Sequence, residues 1–261
     1  MKYGFIGCGN MGGAVAKTLS KATTKIVLTD RSGKGKHLAD MLGCTYADIN
    51  TLVSDCDCIF LAVKPQMMQG ALSQVSDILQ EKKPLLITMA AGLTMKQIQD
   101  FVGASIPVIR IMPNTPVAVG CGVIPYCCNS LVQDSMLAEF LHDMRFAGYL
   151  DALPENLIDT ASALSGSGPA YFYLLLDALA DGAVSCGMSK AKALRYAAHT
   201  MLGSAQMVLN TEQHPSELKD AVCSPGGSTI AGIKVLEEQG VRGAIMDCII
   251  AAYYRNLELG K

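Results

Sequence analysis

Tyr3-Gly4-Phe5-Ile6-Gly7-Cys8-Gly9-Asn10-Met11-Gly12, followed by a helical pattern through Leu19, decides the fold of this chain. A short apolar strand runs directly into glycines spaced G-x-G-x-x-G, and a helix opens behind them. Each glycine has its own task in such a turn. Gly7 permits the tight reversal, Gly9 lets a pyrophosphate approach the backbone, and Gly12 lets the helix pack on the strand. Asn10 and Met11 belong to the same turn, with the phosphates capping the helix. The next apolar run, Lys25-Ile26-Val27-Leu28-Thr29, ends at Asp30, inside the window where an acid contacts the ribose of a bound dinucleotide.

Strand and helix signals then alternate. Cys58–Val63, Leu85–Thr88 and Val108–Met112 read as strands, and helices are expected from about Gly35 to Leu42 and from Met67 to Leu79. Thr94-Met95-Lys96-Gln97 is a capping box for one more helix, and a last strand is expected near Tyr149-Leu150. Such alternation predicts an α/β domain, a doubly wound and mainly parallel sheet, over residues 1–152. From Asn156 the period changes to helix alone, over Pro169–Cys186, Ser189–Leu209, Thr229–Gln239 and Val241–Glu258. Residues 153–261 are therefore expected to form an all-helical domain for substrate and dimerisation. Its apolar stripes, among them Tyr171, Leu174, Leu175, Ala178 and Leu179, come with small residues on several faces, which suits close packing in a homodimer.

Composition excludes several classes. The chain has 261 residues, 50% hydrophobic and 17% charged, enough for a large core. A net charge of −2 provides no basic field for nucleic acid or an anionic membrane, which leaves a small molecule as the partner. Two long uncharged stretches, Ile111–Gln133 and Thr160–Leu176, contain Gly and Pro that would break a membrane-spanning helix. The 10 cysteines form no paired C-x-x-C units, and the 4 histidines are scattered, so no metal site is expected. The cysteines read as reduced core thiols, and a nucleotide-binding strand stands where a signal peptide would lie. Both point to the cytoplasm.

Ligands of open α/β sheets bind beyond the carboxyl ends of the strands, and the segments there are distinctive. They are Ala62-Val63-Lys64-Pro65, Met89-Ala90-Ala91-Gly92 and Met112-Pro113-Asn114-Thr115-Pro116. Small alanines let a flat nicotinamide or ribose lie against the backbone, and Asn114 offers an amide. For the nucleotide itself the signals conflict. Asp30 suits the free ribose of NADH, whereas Arg31 and Ser32, with Lys34 and Lys36 nearby, suit the 2′-phosphate of NADPH and incline the reading that way.

Late in the chain, Ser224-Pro225-Gly226-Gly227-Ser228-Thr229 feeds a helix start. The N–H groups of Gly226, Gly227, Ser228 and Thr229 are expected to lack intrahelical partners there, and with the helix dipole they make a nest for a carboxylate. No Ser-His-Asp order, zinc signature or Walker motif is visible, which disfavours a hydrolase. In the helical domain Glu212, Lys219 and Asp220, with His214, are the main ionisable candidates. Reduction of an imine suits such a site, because it needs no base to remove a hydroxyl proton.

These segments, with Ala163-Leu164-Ser165-Gly166-Ser167-Gly168-Pro169-Ala170-Tyr171, resemble the pyrroline-5-carboxylate reductase family over nearly the full length. The resemblance implies an N-terminal Rossmann domain that binds NAD(P)H and an all-helical domain that forms an interlocked homodimer, with a ring of dimers (a decamer) as a further assembly. It also implies hydride transfer to the C=N carbon of a cyclic imine, giving L-proline. The substrate carboxylate would lie at Ser224, Gly226, Gly227, Ser228 and Thr229, the Thr229 hydroxyl near the imine nitrogen, and Glu212 beside the pocket. Two alternatives stay open at this level. A β-hydroxyacid dehydrogenase would need a lysine in a G-x-x-x-N-x-x-K run, which is absent, and a nucleotide-sensing regulator would bind without turnover.

Overall fold

A computed structural model describes residues 1–259. Eight strands form one sheet in the order β3-β2-β1-β4-β5-β6-β7-β8. Along the chain they alternate with helices: β1 (Tyr3–Ile6), α1 (Asn10–Leu19), β2 (Ile26–Thr29), α2 (Lys34–Leu42), β3 (Thr45–Tyr46), α3 (Ile49–Asp55), β4 (Cys58–Leu61), α4 (Pro65–Ser73), α5 (Ser76–Lys82), β5 (Leu85–Thr88), α6 (Met95–Val102) and β6 (Val108–Ile111). These six strands are parallel. β7 (Gly122–Cys128) turns antiparallel to β6, and after α7 (Asp134–Met144) β8 (Gly148–Ala152) pairs parallel to β7. The order of the first six strands is that of a doubly wound dinucleotide-binding sheet, with its reversal between β1 and β4.

Both faces of the sheet are covered, so β1, β2, β4, β5 and β6 are buried at every position. Alternate residues feed two cores. Ile6, Val27, Ile59, Leu61 and Leu86 join side chains of α3, α4 and α6 on one face. Tyr3, Phe5, Leu28, Phe60 and Ile87 join α1 and α7 on the other, where Phe5 stacks on Phe60 with centroids 4.3 Å apart.

The remaining helices are α8 (Glu155–Ala161), α9 (Gly168–Ser185), α10 (Lys190–Thr211), α11 (Pro215–Ala221), α12 (Ser228–Glu238) and α13 (Val241–Leu259), with a π turn over Ser162–Gly166. The chain groups into two compact units, Gly168–Ala251 and the rest. α8 belongs with the sheet although strand signals end before it. Ile158 lies in a sheet core, and Arg110 of β6 binds Asp159 at 2.7 Å. Among the described residues no helix is long and apolar enough to cross a membrane.

Several elements differ from the sequence reading, which includes neither α3 nor α7. The helix expected over Met67–Leu79 is two, because Val75 leaves helical geometry (φ −128, ψ 13) and α5 restarts at Ser76. β3 is only two residues long and exposed, with no apolar run to announce it. β7 carries Pro125, which argues against a strand. It is accommodated because the Pro125 carbonyl accepts from Met112 N–H at 2.9 Å and the missing N–H leaves no donor unpaired.

Candidate active site

At the end of β1 the backbone of Gly7 takes φ +104, and a Cβ there would meet the Ala62 carbonyl oxygen at 2.6 Å. A Cβ at Gly12 would strike Gly7 O at 2.5 Å and Ala62 Cβ at 2.7 Å, so Gly12 lets α1 close onto β1 and β4. Gly9 is different. Nothing in the protein lies within 4 Å of where its Cβ would be, yet Gly9 lines an open cavity of about 450 Å³. It is also the N-cap of α1, with no side-chain cap, so the first N–H groups of that helix are available to a ligand.

The cavity lies at the carboxyl ends of β1, β2 and β4. Of the expected cofactor residues it brings together Gly7, Gly9, Asp30, Arg31, Ser32, Ala62, Val63 and Lys64. Asn10, Met11, Gly12, Pro65, Ala90, Ala91 and Asn114 are not part of its lining. Lys64 is exposed at the N-cap of α4, with Pro65 behind it starting the helix. Asn114 is buried, and its amide is engaged by the protein, donating to Ser165 O and accepting from Val123 N–H, both at 2.9 Å. The amide therefore ties β7 to the π turn over Ser162–Gly166 and is not part of the lining of this cavity. Sequence reasoning missed Ile49, Met67, Ala71 and Gln74 in the lining. Met67 and Ala71 on α4 and Gln74 at its C-cap follow helical spacing, a readable signal, whereas Ile49 starts a helix outside the sequence reading.

The rim at β2 is built around Asp30. Its Oδ1 accepts from Gly35 N–H at 3.0 Å and from the Tyr46 hydroxyl at 3.2 Å, and its Oδ2 accepts from Ser32 N–H at 3.1 Å and from the Ser32 hydroxyl. Burial opposes ionisation, but the Ser32, Gly35 and Tyr46 hydrogen bonds outweigh it and hold the Asp30 carboxyl below its usual range. Burial, and then the nearby Asp30 charge, push the Cys8 thiol up to about 12, so the fingerprint adds no thiolate beside a phosphate.

The glycine-rich segment in the second unit is a type II turn. Pro225 precedes Gly226 at φ +71, and Gly227 N–H bonds Ser224 O at 3.0 Å. This corrects the expected donor set, because the Gly227 N–H is taken by the turn. α12 then opens at Ser228 with Gly227 as N-cap and no side-chain cap. Among the described residues the N–H groups of Ser228 and Thr229 have no backbone partner, and both residues are exposed. Glu212 ends α10 in left-handed geometry at φ 55, exposed to solvent. His214 caps α11 through Ser216 N–H at 3.2 Å, and Lys219 pairs with Asp220.

Sequence reasoning also missed Arg110. It is 1% exposed, binds Asp159 at 2.7 Å and lies 3.7 Å from Glu155, whose Oε1 accepts from Met95 N–H at 2.7 Å. No sequence signal links a strand arginine to acids in a distant helix.

A sheet reversal with a free helix start, ribose-end side chains and a separate helical unit defines an NAD(P)-dependent oxidoreductase of Rossmann type. Residues 2–92 match the family model described as NADP oxidoreductase coenzyme F420-dependent, and residues 155–259 match pyrroline-5-carboxylate reductase dimerisation. Pyrroline-5-carboxylate reductase of Escherichia coli (strain K12) is 39% identical over 266 residues, covering 100% of this chain and 98% of that protein. The Methanosarcina acetivorans enzyme of the same name is 40% identical over 271 residues, with coverage of 100% and 98%. The crystal structure of Plasmodium falciparum pyrroline carboxylate reductase with NADP bound superposes with a TM-score of 0.91 at 30% identity, covering 100% of this chain and 98% of that one. The chain belongs to the pyrroline-5-carboxylate reductase family. It is an NAD(P)H-dependent oxidoreductase of proline biosynthesis that reduces pyrroline-5-carboxylate to proline, and it carries the family's dimerisation domain.

Proposed function

We propose that residues 1–152 hold the dinucleotide and residues 153–261 bind substrate and form the homodimer. The observation that carries the cofactor assignment is Gly9, a glycine that no protein contact requires but that a ligand in the cavity would. Gly7, Gly9, Asn10, Met11 and Gly12 would surround the pyrophosphate, with Asp30, Arg31 and Ser32 at the adenosine ribose. Ala62, Val63, Lys64, Pro65, Ala90 and Ala91 would flank the remainder, with Asn114 tying β7 to the π turn behind. Arg31 lines the cavity and has no ion pair among the described residues, which favours NADPH over NADH. When bound, the dinucleotide supplies the hydride for the C=N carbon.

The chain's own part is to anchor the substrate and to serve the ring nitrogen. The substrate carboxylate suits the nest at Ser224, Gly226, Gly227, Ser228 and Thr229, where Ser228 and Thr229 donate N–H groups at the positive end of α12. The Thr229 hydroxyl, second in the helix, donates to the nitrogen as it becomes an amine. Glu212 lends a carboxylate near the pocket. Dimers join into a ring, and the reaction runs in the cytoplasm.

The test is a steady-state assay with pyrroline-5-carboxylate and each cofactor, followed by product analysis. Proline should form, with the higher kcat/KM for NADPH. No proline with either cofactor overturns the assignment, and a preference for NADH overturns the cofactor choice alone.

A further inference from the structure

An aspartate at the end of the second strand of a dinucleotide fold ordinarily accepts hydrogen bonds from the free 2′-hydroxyl of NADH. Asp30 holds that position, but four donor groups of the protein already crowd its carboxylate. A carboxylate offers about four acceptor sites, and Gly35 N–H, Tyr46 OH, Ser32 N–H and Ser32 OH approach its two oxygens. The Tyr46 hydroxyl is shared with the Asp30 carbonyl at 3.0 Å. Gly35 makes this closure possible, because a Cβ there would meet Asp30 Oδ1 and Cys8 Sγ, each at 2.8 Å.

The same bonds determine what the rim can offer a ligand. The single Ser32 hydroxyl proton points to Asp30, so Ser32 does not donate it outward. Arg31, between the two clamped residues, lines the cavity and forms no ion pair among the described residues, and the exposed Lys34 and Lys36 follow at the start of α2. Gly33, at φ +75, turns the chain between them. An acid that would repel a 2′-phosphate is thereby screened by donors, and the exposed Arg31, without an ion pair among the described residues, stands beside it.

We propose that Asp30, with Tyr46, is a positioning residue that orders the Arg31–Ser32 loop to select a 2′-phosphorylated dinucleotide, and is not the acceptor of a ribose hydroxyl. This rests on the reading of the cavity as the dinucleotide site. Tyr46 is the discriminating partner, since it bonds Asp30 but does not line the cavity.

The experiment measures kcat/KM for NADPH and NADH with the full-length protein carrying Asp30→Ala, Tyr46→Phe, Arg31→Ala or the Asp30→Ala/Arg31→Ala pair. Asp30→Ala should lower the NADPH/NADH ratio by about tenfold, and Tyr46→Phe by about two- to fivefold. The pair should lose little more than Arg31→Ala alone, because Asp30 acts through Arg31. A ratio that rises in Asp30→Ala, as removal of a ribose acceptor would produce, overturns the proposal. So does an equal loss with both cofactors, which is the signature of a purely structural role. If Arg31→Ala changes neither cofactor, the rim does not meet the 2′ position, and the cavity reading itself falls.

Discussion

Phe5, Phe60 and Phe140 of the first compact unit are fully buried in one core, whereas Phe172, Tyr173 and Leu174 on α9 of the second stand open, Leu174 at 70% exposure. The first unit closes its central sheet on itself, since alternate residues of β1, β2, β4, β5 and β6 are covered by helices of the same chain. The second is apolar around its helices, and of its large apolar side chains Leu209 and Tyr196 are also exposed. A single chain rarely leaves such surface to water. The difference teaches that one half of this protein is complete within one chain and the other is completed by assembly, in keeping with the dimerisation family that residues 155–259 match.

The largest effect should come from charging the open half. Leu174→Arg is expected to weaken self-association by about a thousandfold, about 4 kcal/mol, while NADP+ affinity stays within about twofold. Sedimentation equilibrium and calorimetry read the two quantities. Unchanged assembly would show that α9 is not covered by a second copy, and a loss of NADP+ binding would break the independence of the two halves.

Arg110→Ala attacks the complete half instead. It removes a buried cation from a part-buried pair and leaves the partly exposed Asp159 without its partner, which should lower unfolding free energy by about 1–3 kcal/mol in urea titrations. Loss below about 1 kcal/mol, in the range of an exposed pair, would mean that the tie from β6 to α8 is not what keeps α8 on the sheet.

Thr229→Val sharpens the division of chemistry. The substitution keeps volume and the backbone donor but deletes the hydroxyl, and kcat/KM should fall by about ten- to a hundredfold, about 1–3 kcal/mol. NADP+ affinity should not move, because the glycine fingerprint lies in the first unit. An unchanged kcat/KM in a folded variant leaves Thr229 as a helix-start residue only.

What was legible in the sequence is what short stretches dictate. The fingerprint from Gly7 to Gly12, the buried four-residue strands, the Thr94–Gln97 capping box and the Pro225-Gly226 turn each depend on neighbours within a few positions, and the structure forms the box with both of its bonds. Local sterics and helix-start hydrogen bonds are set there, so the class of fold and the local geometry of both glycine-rich turns follow. Tertiary structure alone decided which polar groups remained free. Asp30 is engaged partly by Tyr46, Asn114 by Ser165 and Val123, and Arg110 by Asp159 through one guanidinium nitrogen, its buried Nε staying without a partner. Residue type sets how many hydrogen bonds a group can make, but whether a partner distant in the chain has already taken them depends on the packed fold.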